Sequence, residues 1–153
     1  MSTTYNVTAS SSGSFLMTRP VWLVGVLVTI AGAIVAEAFA LGASAFGIPM
    51  DAGAPGVGPA TPIPFGAFAL STLLAGTAGT ILAVILDRVA KRPALIFVVT
   101  TVVLTVLSLI PPVLAADTAT STKVVLELAH FLAAAVVIPP LAMRLANRPS
   151  VGR

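Results

Sequence analysis

Four runs of apolar residues, each about as long as a bilayer is thick, constrain this chain more than any other feature. They cover residues 21–43, 65–86, 94–115 and 124–143. A helix rises about 1.5 Å per residue, so some 20 residues reach ~30 Å, the hydrocarbon thickness. Lipid offers no hydrogen bonds to a bare backbone, so each run must be a helix. A transmembrane barrel would show alternating segments of about ten residues, and the sequence holds none. Composition agrees: 58% of the 153 residues are hydrophobic and 8% are charged. A soluble domain carries about a quarter charged residues. The fold class that follows is all-α, a four-helix transmembrane bundle over residues 19–146. A disordered tail (1–18) precedes it and a short tail (147–153) follows.

The basic residues orient the bundle. Arg19 precedes the first helix; Arg88, Lys91 and Arg92 lie between the second and third; Arg144, Arg148 and Arg153 follow the fourth. Seven of the eight lysines and arginines therefore fall on one side, and only Lys123 on the other. By the positive-inside rule both termini and the middle loop are expected in the cytoplasm, with the protein in a bacterial-type plasma membrane. Residues 1–18 lack the basic start of a signal peptide, and the apolar run after them is too long for one. The sequon Asn6-Val7-Thr8 falls on the cytoplasmic side by this topology.

The connections carry their own signals. Residues 47–64 are rich in proline and glycine with one charge, Asp51, so regular structure is not expected there. The segment is too apolar for an ordinary solvated linker; two readings stand side by side, packing over the outer mouth of the bundle and a flexible connector. The Ser/Thr residues in 117–123 are suited to cap the fourth helix. Pro111-Pro112 and Pro139-Pro140 should bend or end the third and fourth helices.

Membrane helices associate through small residues, because lipid tails are as apolar as leucine. The first helix offers Gly32, Ala36, Ala40 and Ser44 at four-residue spacing. The second offers Ser71, Ala75, Gly79 and Ala83, with Thr72, Gly76 and Thr80 alongside. These faces are expected to bring helices one and two together. Thr101, Thr105 and Ser108 form a hydroxyl face on the third helix, where bonding back to the i−4 carbonyl is the expected role.

Three ionisable residues lie inside the apolar runs: Glu37, Glu127 and His130. Lys123, Glu127 and His130 share one helix face at i, i+4, i+7. Counted from each membrane boundary, Glu37 lies ~6 Å, Glu127 ~5 Å and His130 ~9 Å below the outer surface. Ser71, Thr72 and Ser108 fall at similar depth by the same counting. Ionisable groups at such depth are costly and need a partner or a purpose. The first reading is a satisfied network, with Glu127 on Lys123 and His130 on Glu37 or a hydroxyl. The second is a pocket for a small molecule or lipid headgroup under the proline-rich loop. The third is proton-coupled transport or acid–base catalysis through Glu37. A metal site comes last, since one Glu-x-x-His and one further Glu fall short of the di-iron pattern.

No nucleophile or phosphate loop accompanies these residues. The chain has no cysteine and one histidine. That excludes disulfides, thiolate metal centres and bis-histidine haem within one chain. The net charge of +3 does not imply nucleic acid, because the basic residues flank apolar runs and form no patch with aromatics.

Several segments resemble a family of small four-helix bacterial membrane proteins of unknown function. They are Gly47-Ile-Pro-Met-Asp51, Leu73-Leu-Ala-Gly-Thr-Ala-Gly-Thr80, Leu86-Asp-Arg88, Ser108-Leu-Ile-Pro111, and His130 with Ile138-Pro139. The resemblance covers roughly residues 20–145. It implies the four-helix fold and no assigned activity. The chain is also similar to small multidrug-resistance exporters, which have four helices and a functional first-helix glutamate that Glu37 would match. It departs from them in its long outer loop and in a carboxylate near the surface.

The sequence thus points to a non-enzymatic membrane protein without cofactor or metal. It would act as an accessory subunit or bind a small apolar or lipid ligand at the outer-leaflet layer. The alternative is a small proton-coupled transporter working as a homodimer. Expected partners are the bilayer, a membrane protein or second copy, and a small apolar ligand, but no nucleic acid.

Overall fold

The computed structural model describes residues 16–147. The tail before residue 16, the sequon, Arg148 and Arg153 lie outside the described residues. Five helices and one hairpin follow in order: α1 (Val21–Ala45), β1 (Asp51–Ala54), β2 (Val57–Pro62), α2 (Ala67–Val89), α3 (Pro93–Ser108), α4 (Ile110–Leu114) and α5 (Thr120–Ala146). The third span is α3 and α4 together, Pro93–Leu114, so four spans are long and apolar enough to cross a membrane. The chain is a multi-pass membrane protein of the expected class. Residues 16–18 are helical and Leu16 packs on the core.

α1 is the central element. Of its apolar window 44% is buried, against 11% for the third span. α1 packs on α2 and on α5, whereas α3 packs mainly on α5 and touches α2 less. At the end of the bundle where α1 begins and α5 ends, Val21, Val24 and Val28 meet Ala83, Leu86, Phe97, Val137, Leu141 and Leu145. There the Arg144 Nε donates to the Arg19 carbonyl at 2.6 Å. At the hairpin end, Ala36, Ala40, Phe68 and Ala129 form a second cluster, closed over by Met50 and Ile63.

The α1–α2 seam uses small residues, mainly those of one of the two adjacent α2 stripes expected there. Gly32, Ala36 and Ala40 are buried as anticipated, but Ser44 is exposed. On α2 the buried positions are Thr72, Gly76, Thr80 and Ala83; Ser71 and Ala75 are exposed. Two reciprocal contacts set this register. A Cβ at Gly76 would lie 2.5 Å from the Thr29 Oγ1, and one at Gly25 would collide with the Thr80 side chain. Each glycine thus admits a threonine from the facing helix. A Cβ at Gly79 would meet nothing within 4 Å.

The 47–64 connection is regular after all. β1 and β2 pair antiparallel, Asp51 with Pro62 and Ala54 with Val57, with an irregularity between Ala52 and Ala54. Proline is tolerated because a two-stranded ribbon has only edges. Pro55-Gly56 makes the corner, with Gly56 at φ 71°, the proline-then-glycine order of a type II turn. The hairpin does cover the end of the bundle. The Gly56 amide donates to Leu114 O at 3.1 Å, Ala116 to Ala54 O at 3.3 Å, and Gly53 to the Thr118 Oγ1 at 3.0 Å. Gly53 leaves no space for a side chain against Ala116 O.

Two helix-end expectations need correction. Leu109 and Pro111-Pro112 interrupt the third span as anticipated, with Pro112 buried in α4. Pro139-Pro140 do not end α5, which runs on to Ala146. Neighbouring helices support a span whose ladder loses two donors. Nor does a side chain cap α5: Ala119 is its N-cap residue, Thr118 is engaged by Gly53, and the buried Thr122 hydroxyl donates to Pro49 O.

Candidate functional site

Glu37 sits in the last third of α1, yet its work is done on α2. Its Oε1 accepts from the Gly66 amide at 2.7 Å and its Oε2 from the Ala69 amide at 3.0 Å. Gly66 is the N-cap of α2, with φ 85° and no side chain to offer. The first turn of any helix leaves donors without intrahelical partners. In a capping box two side chains share that task; here one carboxylate from another helix does both. A negative charge there also complements the helix dipole. Glu37 is therefore a cap supplied from α1, not the partner expected for His130.

The Lys123–Glu127–His130 stripe separates in the same way. The Lys123 ammonium donates to Val113 O at 3.1 Å, at the end of α4, rather than pairing with Glu127. His130 Nδ1 lies 2.7 Å from Leu126 O on its own helix. A carbonyl can only accept, so Nδ1 carries the proton there. Nε2 is left as the ring nitrogen without a partner among the described residues. Among the described residues no three His, Asp or Glu side chains converge as a metal would require.

What the helices enclose instead is a cleft. Because α3 leans on α5 and stands off from α2, a space of about 680 Å³ remains between these three elements. Such a volume is within the range of roughly 300–1,000 Å³ typical of small-molecule sites. α2 lines it with Ser71, Ala75, Ala78, Gly79 and Leu82; α3 with Phe97, Thr101, Leu104, Thr105 and Ser108; α5 with His130, Ala133, Ala134, Val137 and Ile138. From Ser71 to Leu82 it runs ~16 Å along α2. Ala36 and Phe68 reach it at the hairpin end. Glu37, Lys123 and Glu127 are not among the lining residues.

The hydroxyls in the cleft turn back on their helices as the spacing suggested. Thr101 donates to Phe97 O at 2.8 Å, Thr105 to Thr101 O at 2.8 Å, Ser108 to Thr105 O at 2.7 Å and Ser71 to Phe68 O at 3.0 Å. The structure thus brings Ser71, Thr72, Ser108 and His130 to one cavity, with Thr72 buried toward the Gly32 seam. It leaves Glu37 and Glu127 outside. Ala75 and Gly79, expected between helices one and two, face this space instead. Phe97 and Gly66 escaped sequence reasoning: one looked like any apolar residue, and the other's role depends on Glu37, 29 positions earlier.

A family model described as a family of unknown function (DUF6069) matches residues 17–147, in line with the resemblance drawn from the Gly47–Asp51 and Leu73–Thr80 segments. No curated protein and no solved structure matches the chain.

Proposed function

The chain belongs to this family of unknown function, and on that premise we propose that it is a non-enzymatic membrane protein that binds an apolar or lipid molecule in the α2/α3/α5 cleft. The observation that carries this reading is the cleft itself. It is lined mostly by small and apolar residues, runs along much of α2, and lies between helices whose outer faces are rich in exposed Leu, Ile and Val. A molecule dissolved in the bilayer could enter sideways without crossing water. The basic asymmetry supports a topology with both termini in the cytoplasm and the hairpin outside, in a membrane of the plasma-membrane type. The proton-coupled reading lacks support of this kind, because both oxygens of Glu37 are held by backbone donors. A role as accessory subunit is compatible with the cleft and would add a partner on the same exposed faces.

The test is photolabelling in nanodiscs with an alkyl probe carrying a diazirine. Labelling should concentrate on lining residues such as Leu104 and Ala133. Ala75→Leu with Gly79→Leu should fill the cleft and suppress it. Labelling spread evenly over all exposed helix faces, unchanged by the substitutions, would refute the proposal.

A further inference from the structure

We infer that the molecule held in the cleft is a neutral lipid bearing a hydroxyl, and that this hydroxyl donates to Nε2 of His130. The inference rests on the proposed cleft binding and names the chemical class of its ligand.

Three of the polar side chains that line the cleft toward the hairpin end are Ser71, Ser108 and His130. Each has already committed a proton to its own backbone. Ser71 gives its hydroxyl hydrogen to Phe68 O, Ser108 to Thr105 O, and His130 its Nδ1 hydrogen to Leu126 O. A hydroxyl owns one proton, and a neutral imidazole owns one. What Ser71 and Ser108 keep is lone pairs, and the ring keeps one on Nε2. Thr101 and Thr105, farther along α3, are committed in the same way. Thr72 and Thr100 line the cleft as well, and the lining holds no carboxylate, lysine or arginine.

Such a site selects its ligand. A phosphate or carboxylate would bring an unpaired charge to a wall without a lysine or an arginine. Lys123, two turns from His130 on α5, is engaged at Val113 O and does not line the cleft. An ammonium would find donors' partners but no counter-charge, since neither Glu37 nor Glu127 lines the space, and an unpaired charge in apolar surroundings is strongly unfavourable. A pure hydrocarbon would leave the imidazole lone pair unmet in an apolar enclosure. A neutral O–H satisfies Nε2 and carries no charge. The rest of the wall, from Ala75 to Leu82 and from Ala133 to Ile138, suits an apolar chain. Long-chain alcohols, acylglycerols, polyprenols and sterols share this chemistry.

The experiment uses the full chain in nanodiscs and the displacement of the photoreactive alkyl probe. A long-chain alcohol, its methyl ether and the matching fatty acid anion are the competitors. The alcohol should displace the probe at roughly tenfold lower concentration than the ether, equivalent to about 1.4 kcal/mol. The anion should do no better than the ether. In His130→Phe the alcohol should fall to the level of the ether while the ether is unchanged, which also shows that the variant retains its fold. Ser71→Ala should keep most of the preference. Diacylglycerol, polyprenol and sterol, each against its own ether, then identify the source. Equal displacement by alcohol and ether in the unaltered protein, or a preference for the anion, overturns the hydroxyl inference and leaves the cleft reading standing. A preference that survives His130→Phe overturns the role of Nε2. Failure of every competitor to displace the probe overturns the cleft reading itself.

Discussion

Removing the carboxylate of Glu37 tests the fold at the point where α1 and α2 depend on each other most specifically. In Glu37→Ala the Gly66 and Ala69 amides both lose their acceptor. Loss of an ordinary N-cap costs ~0.5–2 kcal/mol, and a hydrogen bond to a charged group contributes ~1.5–3 kcal/mol. Two such bonds set an upper limit, which partial exposure of Glu37 lowers because water can replace the carboxylate. The expected loss is about 2–3 kcal/mol for alanine. Glu37→Gln keeps one acceptor oxygen but forfeits the charge at the helix N-terminus, so about 1 kcal/mol is expected. Unfolding in mixed micelles, titrated with SDS, measures both. Amide hydrogen exchange locates the effect: Gly66 and Ala69 should lose protection while Leu141 and Leu145 in the opposite cluster do not. Unchanged unfolding and unchanged protection at Gly66 and Ala69 in Glu37→Ala would show that the carboxylate does not cap α2.

Other substitutions probe the remaining contacts. Gly76→Ala drives a methyl into Thr29 and should destabilise the bundle by about 1–3 kcal/mol, whereas Gly79→Ala, with open space at its Cβ, should be neutral or stabilise by up to ~1 kcal/mol; SDS unfolding of the pair decides, and equal effects would refute the assigned register. Thr29 Oγ1 is buried without a hydrogen-bond partner, so Thr29→Val should be neutral or stabilising by up to about 1 kcal/mol, and a clear loss in the same assay would contradict this. The chain has no cysteine, so single cysteines at positions 55, 120 and 90 report topology directly. An impermeant maleimide added outside cells should label the first two and not the third, and the reverse pattern would invert the orientation.

The parts of the structure legible in the sequence are those fixed by the solvent. Bilayer thickness and unsatisfied backbone groups dictate four spans, and the expected limits differ from the observed ones mainly at the ends. α5 begins at Thr120 rather than 124 and ends at Ala146 rather than 143, because a helix need not stop where its apolar run does. Partnerships over distance were not legible. Glu37 could be placed at its depth, but nothing local indicates that its acceptor oxygens meet Gly66, across a hairpin that itself read as irregular. The α2 face was legible only to within one residue. Ser71-Ala75-Gly79 and Thr72-Gly76-Thr80 are adjacent small stripes on one helix, and the choice between them is made by the threonines that fit Gly25 and Gly76. The candidate site was half visible: Ser71, Thr72, Ser108 and His130 could be grouped by depth, whereas the cleft exists because α3 stands off from α2, which no residue of α3 announces.

That displacement of α3 also orders assembly. α1 and α2 follow one another in the chain and complete their seam, threonine to glycine, as soon as both are in the bilayer. α3 arrives next with few contacts to make: its buried residues are Pro93 and Phe97, both near its start. Most of its packing is against α5, which has yet to be made. The third span is therefore held in place by the fourth, and a chain cut after residue 118 would present a closed pair of helices with a third tethered to them by its first two turns.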